Sequence, residues 1–394
     1  MCGHREPACC YTDRMPNIAS DTLELVALTL IPGLGPVRSR RLLEHFGSPK
    51  EILSASQRDL ECIDGVGPGV ASGVVKHKSR ALGAAEKEFE KAAKVDARII
   101  GRGEAEYPPL LAPLPDAPLV LFVRGEILEV DRFALGIVGS RRCSTYGLEQ
   151  SARFATHLAH RGITIVSGGA RGIDTAAHRG SVQAGGRTIV VLGCGHGHCY
   201  PPENLGLFDA IVEEGRGAIV SELCCDAPPE ARNFPARNRL ISGMSLGVLV
   251  VEAGRKSGAL ITARQAVEDH GREVFALPGR VDSESCEGSL ELLKSGGAQM
   301  VTTPSDIVDA LEAPAWHAHG GTHEARYAPE RAEPASIPGG EAGRLVFEAC
   351  LDAKTPDQLG LATGLEMPAI GQAVTMLEIA GLVRRSGSRI ERVR

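Results

Sequence analysis

The sequence predicts an α/β protein: a mostly parallel sheet, preceded by a helical segment and followed by three short helices and a two-stranded wing. Three observations carry this reading. β-Branched or apolar runs of strand length recur at Phe133–Val138, Ile163–Val166 and Leu246–Ala253, and such continuous runs read as strands buried on both faces. Each run stops on small residues and passes into a stretch of helical pattern. The pattern changes on both sides of this block, to paired glycine hairpins before it and a Pro-, Gly-, Ala- and His-rich stretch after Leu311.

In chain order, residues 1–19 read as a disordered lead and Ser20–Val95 as helical. The helical part holds Ile31-Pro32-Gly33-Leu34-Gly35 and Ile63-Asp64-Gly65-Val66-Gly67. Four residues after the last glycine of each comes a small residue, Ser39 and Ala71. This is the helix-hairpin-helix pattern, whose glycines let backbone N–H groups reach a DNA phosphate without reading sequence. Arg38, Arg40 and Arg41, then Lys76, Lys78 and Arg80, suit that role; the alternative is that the hairpins serve packing. Residues 96–312 hold the sheet and residues 313–340 read as a flexible linker. Residues 341–394 regain order, with helices expected at Arg344–Leu351, Thr355–Thr363 and Glu366–Ala380. A basic wing follows around Ser386-Gly387, carrying Arg384, Arg385, Arg389, Arg392 and Arg394. The third helix offers Glu366, Gln372 and Glu378 on its exposed face and no base. That fits a partner-binding or weak duplex-binding module better than a major-groove reader.

The functional signal lies at the strand ends. Ile163–Val166 breaks through Ser167-Gly168-Gly169 into a helix carrying Arg171 and Asp174. A strand passing through glycines into a helix presents backbone N–H groups and the positive helix end to one point, which suits a phosphate. Phe133–Val138 ends likewise on Gly139-Ser140-Arg141-Arg142. Downstream, Phe234, Arg237, Asn238 and Arg239 share one predicted helix, and Lys256-Ser257 opens another. Ligands of open α/β sheets sit off the carboxyl ends of the strands. Basic groups gather there without a matching set of acids, so the expected ligand is a polyanion. Arg141, Arg171, Arg237, Arg239 and Lys256 are the candidates to hold a phosphodiester backbone. Gly139, Ser140, Gly168, Gly169 and Ser257 would give close donors, with Asn238 beside them and Phe234 as a ring for a base.

Composition sets limits. A net charge of −6 over 394 residues argues against a protein that coats DNA indiscriminately, but leaves room for a local basic rim. No apolar run approaches the ~20 residues of a membrane span, and Met1–Asn17 lacks the apolar core of a signal peptide; a cytoplasmic place is expected. The eleven cysteines are scattered and read as free thiols. Cys194–Cys199, with His196 and His198, and the group Cys2, His4, Cys9 and Cys10 lack paired CxxC spacing. No metal and no cofactor are expected. Neither glycine turn has the full dinucleotide fingerprint.

The stretch from about Leu119 to Leu311 resembles the DNA-processing DprA/Smf family. The matching motifs are Ile137–Arg141, Ser144–Gly147, Ser167–Asp174 with Ala177-His178, and Val190–Gly195 with Tyr200-Pro201. They continue with Phe234–Ile241, Val251–Thr262 and Val274–Gly279. The resemblance implies a Rossmann-like domain that binds single-stranded DNA and helps load RecA recombinase on incoming DNA during natural transformation. It also implies a homodimer through that domain, for which Ser289–Ser295 with Leu290, Leu292 and Leu293 is the candidate contact. An N-terminal domain like a sterile alpha motif and a C-terminal winged helix also belong to that pattern. The expected mechanism is binding without chemistry. The alternative is a nucleotide-processing enzyme like the LOG-type phosphoribohydrolases, with Asp174 and Glu252 as its acids. Leu277-Pro278-Gly279-Arg280 does not continue into the phosphate loop such enzymes need. Asp174 and Glu252 are instead expected to orient the arginines, and Glu222 is left without a visible partner.

Overall fold

The glycine hairpins set where the first helices begin. In the computed structural model, which describes residues 21–319, 340–350, 354–379, 382–386 and 389–392, five helices come first. They are α1 (Thr22–Thr29), α2 (Pro36–Phe46), α3 (Pro49–Ser54), α4 (Gln57–Glu61) and α5 (Pro68–Lys94). Pro36 and Pro68 take the first helical position, where a missing N–H costs nothing, and Gly35 and Gly67 are the residues before them. Ser39 and Ala71 are buried and donate their N–H to Gly35 and Gly67. The three arginines beside the first hairpin are engaged within the fold. Arg38 donates to the carbonyls of both hairpin glycines, Gly33 and Gly65. Arg41 holds Asp64, and Arg40 reaches Glu44 and the Pro113 carbonyl.

These helices share one apolar core with the first two strands, β1 (Ala97–Gly101) and β2 (Val120–Gly125). Leu25, Leu28, Leu42, Ile52 and Leu60 pack in the same cluster as Leu119, Val120 and Phe122. On α5, buried Glu88 accepts the Cys225 N–H and pairs with Lys91, which also holds Asp226. The helical segment and the sheet form one compact unit, described over residues 21–319.

The chain then alternates: β3 (Ala134–Val138), α6 (Thr145–His160), β4 (Thr164–Ser167), α7 (Ile173–Gln183), β5 (Thr188–Val191), α8 (Leu205–Glu213) and β6 (Gly217–Ser221). It goes on with α9 (Asn233–Gly243), β7 (Gly247–Val250), α10 (Gly258–Glu268), β8 (Glu273–Ala276), α11 (Glu287–Lys294), β9 (Gln299–Met300) and α12 (Pro304–His319). The sheet order is β1-β2-β6-β5-β4-β3-β7-β8-β9. β1 and β2 run antiparallel at one edge; every pairing from β6 to β9 is parallel. Such strands are buried on both faces, which is why their sequences read as unbroken apolar runs. From β3 the chain winds outward to β6. The connection through α9 then returns it to β7 on the other side of β3. The reversal between β3 and β7 is the switch point at which open α/β sheets hold ligands.

The described residues from Gly340 on form a second compact unit. Its described part has helices Gly340–Ala349, Pro356–Thr363 and Met367–Ile379, then the antiparallel pair β10 (Val383–Ser386) and β11 (Arg389–Arg392). Val346, Leu359, Ile370, Val374, Leu377 and Ile390 make its core. Thr355 and Gln358 cap the middle helix reciprocally, a capping box visible in the sequence. Glu366 and Gln372 are exposed and Glu378 is half-buried. α12 runs to His319, past the expected linker start at Ala313. The lead with Cys2, His4, Cys9 and Cys10, linker residues 320–339, and Gly387 at the wing turn lie outside the described residues.

Candidate nucleic-acid interface

The turns after β3, β4 and β7 and one face of α9 surround a cleft of about 850 Å³. Gly139, Ser140, Arg141 and Arg142 form one wall, and Lys256, Ser257 and Gly258 another. Helical periodicity places Phe234, Arg237, Asn238 and Ile241 together on the cleft face of α9. Ser257 caps α10 by accepting the Ala259 N–H. Lys256 and the N-terminus of α10, whose first turn has no acid, line the same cleft, with Glu284 also on its lining. This is the part of the cleft best suited to a phosphate.

The β4 turn is arranged otherwise than its sequence suggests. The helix end that was expected to hold a phosphate already has a carboxylate: Asp174 in the first turn of α7 accepts the Ala170 N–H. The Ile173 N–H goes to the Ser140 carbonyl. A Cβ at Gly168 would lie 2.5 Å from Arg237 Nη2 and 2.7 Å from Asp174 Oδ2. Glycine is needed there to admit that pair, not to admit a ligand. Gly172 has φ +77°, and a Cβ on it would lie 2.5 Å from the Ser140 carbonyl oxygen. It brings the β3 and β4 turns into contact. Gly139 and Gly169 are likewise packed closely, against Ile173 and Val190.

Arg237 is 4 % exposed and donates to the Gly168 carbonyl at 2.7 Å. Burial pulls its guanidinium down to about 10, with Asp174 opposing. Burial pushes the Asp174 carboxyl up to about 6, opposed first by Arg237. The two opposite charges lie near one another beneath the Gly168 turn without a direct ion pair, and the buried Arg237 is anchored by the Gly168 carbonyl at the cleft floor rather than at its rim. Beneath it, buried His178 bonds Thr188 through Nδ1 and is held down to about 3 by burial and Arg237, hence neutral. Arg239, two residues on from Arg237, faces the opposite way. It pairs with Glu222 and lies 3.6 Å from Asp116. It does not line the cleft, and Glu222 thereby has its partner. Glu252 orients no arginine: it is buried under the start of α6 and accepts both the N–H and the hydroxyl of Ser144. Behind α9, Ser242, His270 and Asp116 form a hydrogen-bonded chain, but the Ser242 and His270 side chains are buried, so it braces the helix. His196 bonds the Phe122 carbonyl and His198 the Asp226 carbonyl, both within the fold.

Across the cleft runs a ladder that the sequence reading assembled only in part. The Arg141 guanidinium lies 5.0 Å from the Phe234 ring centre. Phe234 lies 5.5 Å from Tyr200, and Arg171 sits 5.9 Å over Tyr200. Arg171 in turn grips Glu203 with two nitrogens. Tyr200 and Glu203 had no assigned role. The signal for Tyr200 was an aromatic in a strand-end loop of a chain that is only 4 % aromatic. Alternating arginines and rings offer stacking faces and charge together.

The family model described as "DNA recombination-mediator protein A" matches residues 98–312, the whole sheet domain. The chain belongs to the DNA-processing DprA/Smf family. A second model, "SAM-like Helix-hairpin-helix tandem", matches residues 25–77. Protein Smf of Escherichia coli is 42 % identical over 282 residues, 70 % of this chain and 72 % of that protein. DNA processing protein DprA of Bacillus subtilis is 40 % identical over 207 residues, 52 % of this chain and 68 % of that protein. The solved structure of DprA from Streptococcus pneumoniae superposes with a TM-score of 0.63 at 34 % identity, covering 73 % of this chain and 97 % of that one. Among the described residues no helix is long and apolar enough to cross a membrane.

Proposed function

We propose that the cleft holds the backbone of single-stranded DNA and does no chemistry on it. The observation that carries this is the arginine–aromatic ladder facing the Lys256 wall. Phosphates meet Arg141, Arg171, Lys256 and the α10 N-terminus, while unstacked bases lie against Phe234 and Tyr200. Ser140, Ser257 and Asn238 add hydroxyl and amide groups at the walls, and Gly139, Gly168 and Gly169 shape the turns. A stiff duplex with its bases paired inside offers no ring to this ladder. On this reading the protein protects incoming DNA in the cytoplasm and passes it to RecA recombinase during natural transformation. It acts as a homodimer through the Rossmann-like domain. Leu292 and Leu293 of α11 pack partly on the sheet core, which leaves Leu290 and the exposed Met300 of β9 as the apolar part of that contact.

The second unit is auxiliary on this account, a winged helix whose wing alone is basic. A chain ending at His319, the last residue of α12, should therefore keep its oligo-dT affinity at moderate salt and lose a small increment at low salt. Each phosphate the wing neutralises releases counterions, so its contribution fades as salt rises. Titrating both chains at the two salts measures this. Loss of binding at both salts by a folded truncation moves the DNA site to the wing. Incubation with AMP should release no base; clean release would establish the nucleotide-processing alternative.

A further inference from the structure

Beyond the Arg171–Glu203 pair lies a second cleft, of about 550 Å³, between α6 and α7. We infer that it is a second nucleotide subsite for the same strand, entered across that pair. The inference rests on the single-strand reading of the main cleft.

The two clefts are continuous along the chain: Ala170 lines the first, and Arg171 and Gly172 line the second. Arg171 thus has Tyr200 of the main cleft under its guanidinium and the second cleft beside it. The walls of the second cleft divide by chemistry. Leu148, 41 % exposed, joins Ala152 and Ala176 as an apolar surface of the kind a base or sugar covers. Arg179 and Gln183, one turn apart on α7, also face it. Arg179 is exposed and has no ion pair among the described residues. A cation beside an apolar wall at the end of a phosphate track suits a nucleotide whose phosphate lies at Arg179. Glu149 on the same wall is an acceptor, suited to the N–H edge of a base and not to a phosphate.

Glu203 decides how readily the strand crosses. Its carboxylate occupies both nitrogens that Arg171 would offer a phosphate. Both side chains are about half exposed, so water and salt weaken the pair. A phosphate arriving from the Tyr200 side can therefore displace Glu203. The carboxylate is a competitor that makes occupation of the second cleft depend on first filling the main one.

The test uses the full chain and oligo-dT from about 4 to about 16 nucleotides, the span of single-strand site sizes. Arg179→Ala should leave the shortest binding oligomer unaffected and weaken the longest by roughly tenfold, the effect of one charge-assisted contact. Glu203→Gln should strengthen the longest. A single 4-thiothymidine moved along the long oligomer should crosslink to Phe234 or Tyr200 from inner positions and to the α6–α7 wall from an outer one. If Arg179→Ala has no effect at any length, or an equal effect at all lengths, the second subsite is wrong. Crosslinks confined to the main cleft also overturn it. If instead Arg141→Ala binds every length normally, the reading of the main cleft has failed.

Discussion

Arg237→Ala should destabilise the protein by about 1–3 kcal/mol, the cost of leaving a buried acceptor, here the Gly168 carbonyl, without its donor. The variant leaves Asp174 under the Gly168 turn with its principal counter-charge gone. Urea unfolding of the two proteins measures the difference. The pH dependence carries a second signature. The folded Asp174 carboxyl lies at about 6, above its ordinary value of 3.8, so its contribution is most favourable below about pH 4 and is lost as pH rises through about 6. The stability of the natural protein relative to Asp174→Asn should therefore fall between those values. In Arg237→Ala, with the group that held the carboxyl down removed, the fall should start at the same pH and extend to higher pH. An unchanged unfolding free energy for Arg237→Ala would mean that its bond to the Gly168 carbonyl does not support the fold.

Arg141→Ala should weaken oligo-dT binding by about 1–3 kcal/mol, and the fold should tolerate it. The size is that of a charge-assisted contact. The guanidinium both meets phosphate and covers the Phe234 ring. Its side chain is exposed, and among the described residues it has no ion pair, so unfolding should be unchanged. Fluorescence anisotropy with labelled oligo-dT, beside a thermal melt, separates the two effects. Normal binding by the folded variant would place the strand elsewhere.

Much of the fold was legible because its elements announce themselves locally. A parallel strand buried on both faces is a continuous apolar run, and a glycine turn followed by a helix marks its end. The hairpins at Gly33–Gly35 and Gly65–Gly67, and the Thr355–Gln358 cap, are likewise short-range signals. The site was legible as a region but less so residue by residue. Arg237 and Arg239 looked alike in the sequence, yet two residues along a helix is a turn of about 200°, and they face opposite ways. The helical spacing of Phe234, Arg237, Asn238 and Ile241 held that information. What the sequence does not carry is long-range pairing. Glu222 meets Arg239 across 17 residues, and Glu252 meets Ser144 across 108. The Gly168 turn reads as a phosphate cradle because nothing local shows that Arg237, 69 residues on, fills it.

Competition between single-stranded and duplex DNA for the purified full chain tests the central claim most directly. Labelled oligo-dT is bound without ATP, then challenged with unlabelled oligo-dT or blunt duplex of equal length at moderate salt. Unlabelled single strand should displace the label at far lower concentration than duplex does, and Arg141→Ala should narrow that gap. Equal displacement by blunt duplex would contradict the account, because a cleft that selects flexible strands with stackable bases cannot treat the two alike.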